Sequence, residues 1–180
     1  MTEMAFTSAE FRKTLAMFPT GIAVVTALGP DGTLQGTTVS SFNSVSLDPP
    51  LVLFSLARSA TSSAAWTAAN AWGISVLSET QDGLSTRFAQ SGPDKWVGYE
   101  PMIGGTGVPL IAGALVHFEC ERYALYDGGD HLIFVGRVLT LGRTTLPASR
   151  PLVFYSGRYH QIHRPRVGAS EEDERLLHGW

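Results

Sequence analysis

Two unlike extended segments joined by a tight turn constrain the fold most. Gly21-Ile22-Ala23-Val24-Val25-Thr26-Ala27-Leu28 is β-branched and almost uniformly apolar, the pattern of a strand buried on both faces. Gly29-Pro30-Asp31-Gly32 then reads as a turn, which returns the chain and makes a hairpin of the two segments it joins. The second segment, Gly36-Thr37-Thr38-Val39-Ser40-Ser41-Phe42-Asn43-Ser44-Val45-Ser46-Leu47-Asp48-Pro49-Pro50, has more hydroxyls than a sheet needs. In an extended chain Thr38, Ser40, Ser44 and Ser46 share one face and Thr37, Ser41 and Asn43 the other. Both faces are polar, and Val39, Val45 and Leu47 complete only part of an apolar one. Such hydroxyls need partners once they leave water. Two readings stay open on the residues alone. One is a Ser/Thr-rich turn and edge strand; the other is a site for a phosphate, a ribityl chain or the carbonyls of a heterocycle.

The flanking segments place this stretch. Ser8 reads as the N-cap of a short helix with Phe11, Leu15 and Phe18 at helical spacing, stopped by Pro19. Asp48-Pro49-Pro50 is expected to interrupt strand pairing, and Leu51 to Leu56 starts a new strand. Arg58-Ser59-Ala60-Thr61-Ser62-Ser63 precedes a helix ending near Asn70, so its hydroxyls read either as N-caps or as part of an anion site. A strand over Trp72 to Leu77 comes next, then a helix over Glu79 to Gln90 with Leu84 and Phe88 on one side. Ser91 to Pro109 has no sustained period and reads as a long surface loop around Trp96 and Tyr99. Leu110 to Tyr126 reads as one long strand with a partly wet, charged face, and His131 to Leu139 runs back as a second hairpin. The last strands are Pro151 to Tyr155 and Tyr159 to Ile162. Sequential hairpins predict a mainly β chain with short helices, an antiparallel barrel rather than a doubly wound sheet. Residues 1–164 read as one domain and 165–180 as a charged tail.

Composition and motifs remove several functions. A net charge of -3 gives no electrostatic footprint for nucleic acid. No apolar run approaches a membrane span, and a single cysteine, Cys120, cannot build a disulfide framework, so a reducing cytoplasmic setting is expected. Neither a Gly-x-Gly-x-x-Gly nor a Gly-Lys-Ser/Thr loop is present. His160-x-x-His163 and His117-x-Glu119 lack further ligands at metal spacing, so no metal is expected. Cys120, between apolar and charged strand residues, reads as a buried structural thiol.

Five blocks in order resemble one family. They are Phe11-Arg12 with Pro19-Thr20-Gly21 and Val24-Val25-Thr26; the hydroxyl-rich stretch with Leu51-Val52-Leu53-Phe54-Ser55-Leu56; Leu84-Ser85-Thr86-Arg87-Phe88-Ala89; Gly129-Asp130-His131; and Leu152-Val153-Phe154-Tyr155-Ser156-Gly157-Arg158-Tyr159. From Phe11 to Ile162 the chain is similar to the flavin reductase-like family, short-chain NAD(P)H:flavin oxidoreductases that serve two-component monooxygenases. The resemblance implies an FMN-binding split barrel, a homodimer with the flavin near the subunit interface, FMN or FAD as cofactor, NADH or NADPH as co-substrate, and a separate oxygenase as partner. It implies flavin contacts at Thr37, Thr38, Val39, Ser40, Ser41, Ser44, Ser55, Leu56, Ala57, Ser59, Thr61, Ser62, Arg87 and Phe88. Arg87 is the candidate for the flavin phosphate or its nucleotide extension. His131, oriented by Asp130, together with Tyr155, Gly157, Arg158 and Tyr159, is implied to hold the nicotinamide, with His131 as the catalytic position. The rival expectation is a flavin-binding or electron-carrying split-barrel protein without efficient turnover. A relative oxidising a vitamin-like phosphate fits the blocks less well.

Overall fold

The computed structural model describes residues 5–144 and 150–162. The charged tail expected from residue 165 and His163 of the rejected metal pair lie outside the described residues. The first element is helix α1 (Ser8–Leu15). Its N-cap is Thr7 rather than Ser8, because only Thr7 has a glutamate three residues on. Thr7 Oγ1 accepts from the Glu10 amide at 3.2 Å and Glu10 Oε2 accepts from the Thr7 amide at 2.7 Å, a closed capping box.

Short β1 (Thr20–Gly21) leads to β2 (Ala23–Leu28) and β3 (Leu34–Val39), the expected hairpin. The next hairpin is β4 (Asn43–Leu47) and β5 (Pro50–Ala57). Asp48-Pro49-Pro50 does not interrupt pairing there but makes the turn, since Leu47 pairs with Pro50 at the first position of a strand, where a missing N–H is tolerated. Helix α2 (Ser63–Ala68), β6 (Ala71–Val76) and helix α3 (Asp82–Ala89) come next, then a 3-10 turn at Pro93–Trp96 and the small pair β7 (Met102–Ile103) and β8 (Pro109–Leu110). The expected long surface loop is thus partly structured. β9 (Val116–Gly128) and β10 (His131–Arg143) form the long second hairpin, and β11 (Val153–Tyr155) with β12 (Arg158–His160) the last. The strand expected from Leu110 is broken because Gly113 turns the chain with a φ of +74°.

Seven strands form one antiparallel sheet in the order β3-β2-β6-β9-β10-β5-β4, while β1-β11-β12 form a smaller sheet beside it. The expected split-barrel architecture with few short helices is what forms. β2 explains the uniform apolar run. Ala23, Val25 and Ala27 face the barrel interior with Phe54, Trp66, Trp72, Ile74 and Phe134, and Ile22 and Val24 face a second core with Leu77, Phe88, Ile111 and Leu152. Phe54 and Phe134 stack at 5.0 Å, and Trp72 meets both edge-on. Trp96 and Tyr99, expected on a surface loop, pack on Phe88 in the second core.

The charged face expected on β9 is not wet at Glu119. Its carboxylate is buried and accepts from the Gly105 amide (3.0 Å), the Thr106 amide (2.7 Å) and hydroxyl (2.5 Å), and the Thr140 hydroxyl (3.2 Å). Burial alone would raise its pKa, but these donors outweigh burial and hold it below the usual carboxylate value. Neighbouring Cys120 is buried, and desolvation with the Glu119 charge pushes its thiol up to about 12. Iodoacetamide at pH 8 should therefore leave the native thiol unmodified and label it fully in denaturant. Labelling of the native protein at the rate of a free thiol would contradict this packing.

Candidate functional site

The barrel opens where β5 outruns its partner. β4 pairs with β5 only as far as Asn43 opposite Leu53, leaving the edge of Phe54–Ala57 without a neighbouring strand. Ser41 fills part of that gap. Its hydroxyl donates to the Ser55 carbonyl at 3.2 Å and accepts from the Ser55 amide at 2.9 Å, as a strand backbone would. Residues of β3 and β5 line a cleft of about 1490 Å³.

One wall is β3 and its exit, through Thr37, Thr38, Val39, Ser40 and Ser41; the opposite wall is Ser55, Leu56 and Ala57. The segment before α2 contributes Ser59, Thr61 and Ser62, α2 contributes Trp66, and His131 lines the same cleft. Gln35, Gly36, Gln90, Ser91, Gly92, Lys95 and Trp96 also line it, and among the described residues no Asp or Glu does. The strand alternation read across the hydroxyl-rich stretch does not continue through it, because β3 stops at Val39 and β4 restarts at Asn43.

The hydroxyls divide by whether the protein already uses them. Thr38 Oγ1 donates to the Ser85 carbonyl at 2.7 Å, Ser62 Oγ accepts from Trp66 Nε1 at 3.2 Å, and Ser41 is committed to Ser55. Ser62 makes no side-chain cap to α2, so the N-cap reading fails there. The side chains of Thr37, Ser40, Ser59 and Thr61 have no hydrogen-bond partner among the described residues, and Trp96 Nε1 is likewise orphaned. Free hydroxyls between apolar Val39, Leu56, Ala57 and Trp66 suit a flat, polar-edged heterocycle with a hydroxylated chain.

His131 is the first residue of β10 and pairs with Ala57, the last of β5, so strand register sets its place at the cleft. Its Nδ1 donates to Asp130 Oδ1 at 2.8 Å, leaving Nε2 as the second ring nitrogen. The hydrogen bond from His131 and its charge lower the Asp130 pKa, with a smaller contribution from Arg12. The turn is anchored by Arg58, whose amide donates to the Asp130 carbonyl (2.9 Å), whose Nε donates to the Gly129 carbonyl (3.0 Å) and whose guanidinium pairs with Asp127.

Other expected site residues lie elsewhere. Ser44 is exposed on edge strand β4, outside the cleft. Phe88 is completely buried, because it is the apolar anchor of α3 against Gly36; a Cβ on Gly36 would fall 2.7 Å from its ring and 2.9 Å from Trp96. Arg87 does not reach the cleft. It spends its guanidinium on the carbonyls of Lys95 (2.6 Å from Nε) and Val97, holding the loop that carries Lys95. Tyr155, Gly157, Arg158 and Tyr159 are not cleft residues of this chain either. Tyr159 donates to Ser85 Oγ at 2.9 Å, and Tyr155 packs on His160. Lys95 was hidden in a segment without period; its signal is that it is one of only two lysines in the chain. Among the described residues no group of three His, Cys, Asp or Glu lies together, and no helix is long and apolar enough to cross a membrane.

The two adjacent serines should therefore behave differently. Ser41→Ala removes the partner of two backbone groups and should cost about 1–3 kcal/mol, lowering Tm by roughly 2–10 °C for a chain of this size. Ser40→Ala should leave Tm unchanged. Equal melting of both variants would show that Ser41 does not stand in for a strand.

The flavin reductase like domain family matches residues 15–163. An FMN reductase (NADH) of Agrobacterium fabrum, SmoA, is 45% identical over 157 residues, 87% of this chain and 87% of its own. The reductase subunit HsaB of a flavin-dependent monooxygenase from Rhodococcus jostii is 37% identical over 152 residues, covering 84% of this chain and 76% of its own. The NADH:FAD oxidoreductase SgcE6 of Streptomyces globisporus superposes with a TM-score of 0.83 at 36% identity, covering 92% of this chain and all 100% of that one, and it has also been solved with NAD and FAD fragments. A strand-register histidine beside a cleft of free hydroxyls, on a barrel that superposes on such a reductase, places the chain in the flavin reductase-like family.

Proposed function

We propose that the protein is an NADH-dependent flavin reductase, transferring hydride to FMN or FAD and supplying the reduced flavin to a separate monooxygenase. The observation that carries this is the cleft itself, in which the free hydroxyls and His131 line one space larger than one small ligand needs. Its neighbours in sequence and structure are named as NADH-dependent FMN or FAD reductases, and one as the reductase subunit of a monooxygenase. When bound, the flavin supplies the two-electron acceptor for hydride from the dihydronicotinamide.

Thr37, Ser40, Ser59 and Thr61 would hold the polar edge and ribityl chain of the flavin, with Val39, Leu56, Ala57 and Trp66 against its apolar parts. His131 orients the nicotinamide through Nε2, while Asp130 and the Arg58-anchored turn fix the ring. Hydride transfer depends on stacking distance and alignment, so the histidine acts by positioning. In one chain Tyr155 and Arg158 stand away from the cleft; any nicotinamide role for the β11–β12 hairpin needs a second subunit or a different approach.

A homodimer fits the surface. Helix α1 buries none of its residues, and Phe11, Leu15 and Phe18 are 51%, 56% and 74% exposed. Tyr123, Tyr126, Leu139 and Leu141 are exposed on β9 and β10. These faces, rather than Trp96 and Tyr99, are the apolar surface that a partner would cover. The single buried thiol suits a reducing compartment such as the cytosol.

Anaerobic NADH added to protein with FMN or FAD should bleach the oxidised flavin band within seconds, whereas a flavin carrier without turnover would leave it standing. His131→Ala should slow this bleaching by roughly tenfold to a hundredfold with flavin affinity nearly unchanged, the range for a misplaced reacting centre. Wild-type bleaching rates in that variant would remove His131 from the nicotinamide site. Sedimentation equilibrium should give a dimer mass at micromolar concentration, and an active monomer would refute the shared interface.

A further inference from the structure

One hydroxyl of the cleft is held by a buried indole. Ser62 ends the segment before α2 and stands at the N-cap position of that helix, where a serine oxygen ordinarily turns back to accept an amide of the first turn. It makes no such bond, and its φ of -89° and ψ of 6° depart from the extended backbone of a capping serine. Its Oγ lies instead 3.2 Å from Trp66 Nε1, one helical turn on, while its carbonyl accepts the Trp66 amide at 3.1 Å. Trp66 is 1% exposed and meets Phe54 edge-on at 6.2 Å in the barrel core, so the core fixes the indole. Burial alone does not secure a partner for such an N–H, because Trp72 Nε1 and Trp96 Nε1 are buried without one.

An indole N–H only donates. Ser62 Oγ is therefore the acceptor of the pair, and its own proton is unspent, since the hydroxyl has no other partner among the described residues. Ser62 lines the cleft, which leaves that proton to a ligand. Thr38 is the opposite case. Its proton goes to the Ser85 carbonyl at 2.7 Å, so it offers a ligand only lone pairs.

Resting on the flavin reductase reading, we propose that Trp66 is a positioning residue of this cleft: its indole N–H draws Ser62 Oγ off the end of α2 and presents the hydroxyl to the bound flavin as a donor to an acceptor oxygen. In this role Trp66 acts through Ser62, apart from the apolar contact of its ring. Donation from the indole also polarises the Ser62 O–H, because linked hydrogen bonds strengthen one another. Without the indole, Ser62 is free to cap α2 and its proton loses its set direction. The acceptor oxygen can belong to the flavin ring or to its side chain, and lumiflavin, which carries a methyl group in place of the ribityl phosphate, separates the two.

The test is a double-mutant cycle of wild type, Trp66→Phe, Ser62→Ala and the double variant, read by fluorescence titration with FMN and lumiflavin, with circular dichroism to confirm folding. Phenylalanine keeps a ring in the core and deletes the N–H. Each single substitution should weaken FMN binding about threefold to tenfold, the range for one hydrogen bond. Once Ser62 is replaced, Trp66→Phe should cost less than about twofold more. The same penalty on lumiflavin assigns the acceptor to the ring, and no penalty there assigns it to the side chain; both support the inference. Trp66→Phe weakening FMN by one factor in both backgrounds, as a packing defect would, overturns it, and so does wild-type affinity in that variant. Should Trp66→Phe unfold, the indole N–H resonance that Ser62→Ala shifts identifies Trp66 in the wild type; the absence of such a resonance, or its indifference to saturating FMN, overturns the inference. A wild type that binds neither flavin overturns the flavin reductase reading instead.

Discussion

The site depends on a mismatch of strand lengths. β5 has eight residues and β4 five, so the barrel cannot close along its last seam without leaving backbone donors and acceptors unpaired. One serine side chain meets part of that demand at Ser55, and the seam stays open beyond it. The opening is stable because the cost of exposing a strand edge is limited to a few residues lined by neutral polar groups. Closing the seam with a longer β4 would give a more regular barrel and no cleft.

The fold was legible where side-chain pattern and burial obey one rule. The two-sided apolar run of β2 announces two cores, and the β2–β3 and β9–β10 hairpins carry their turn residues in plain view, whereas the prolines that turn β4 into β5 read as a break in pairing. The hydroxyl-rich stretch was also legible as something other than an ordinary strand. What could not be read was which hydroxyls the protein keeps for itself, since Ser41 and Ser40 differ only in what lies opposite, a tertiary fact. Phe88 and Arg87 show the same limit. Adjacent on one helix, they look like equal candidates, but the close approach of Gly36 draws Phe88 into the core and turns Arg87 toward the loop. Lys95 was invisible because its segment has no period; the register that places it comes from the Arg87 contacts and the aromatic packing of Trp96.

The electrostatics of the cleft come from this division. The buried carboxylate among the described residues, Glu119, is spent on the loop at Gly105 and Thr106, and Asp127 and Asp130 stand at the β9–β10 turn and do not line the opening. Neutral polar groups therefore line most of the cleft, with Lys95 and His131 also among its lining residues. Such a surface recognises polar edges by geometry and gives direction through charge.

The Arg58 contacts give the site a mechanical character. By tying the Gly129-Asp130 turn to the segment leading into α2, Arg58 joins the hydroxyl wall and the histidine into one body. These bonds tie the segment before α2 to the turn that carries His131, so the two are positioned relative to each other by the fold. Under the proposed reading, two molecules that must meet face to face would find their alignment already set by that tie, and the ordering entropy that separate loops would lose on each encounter would not be lost again.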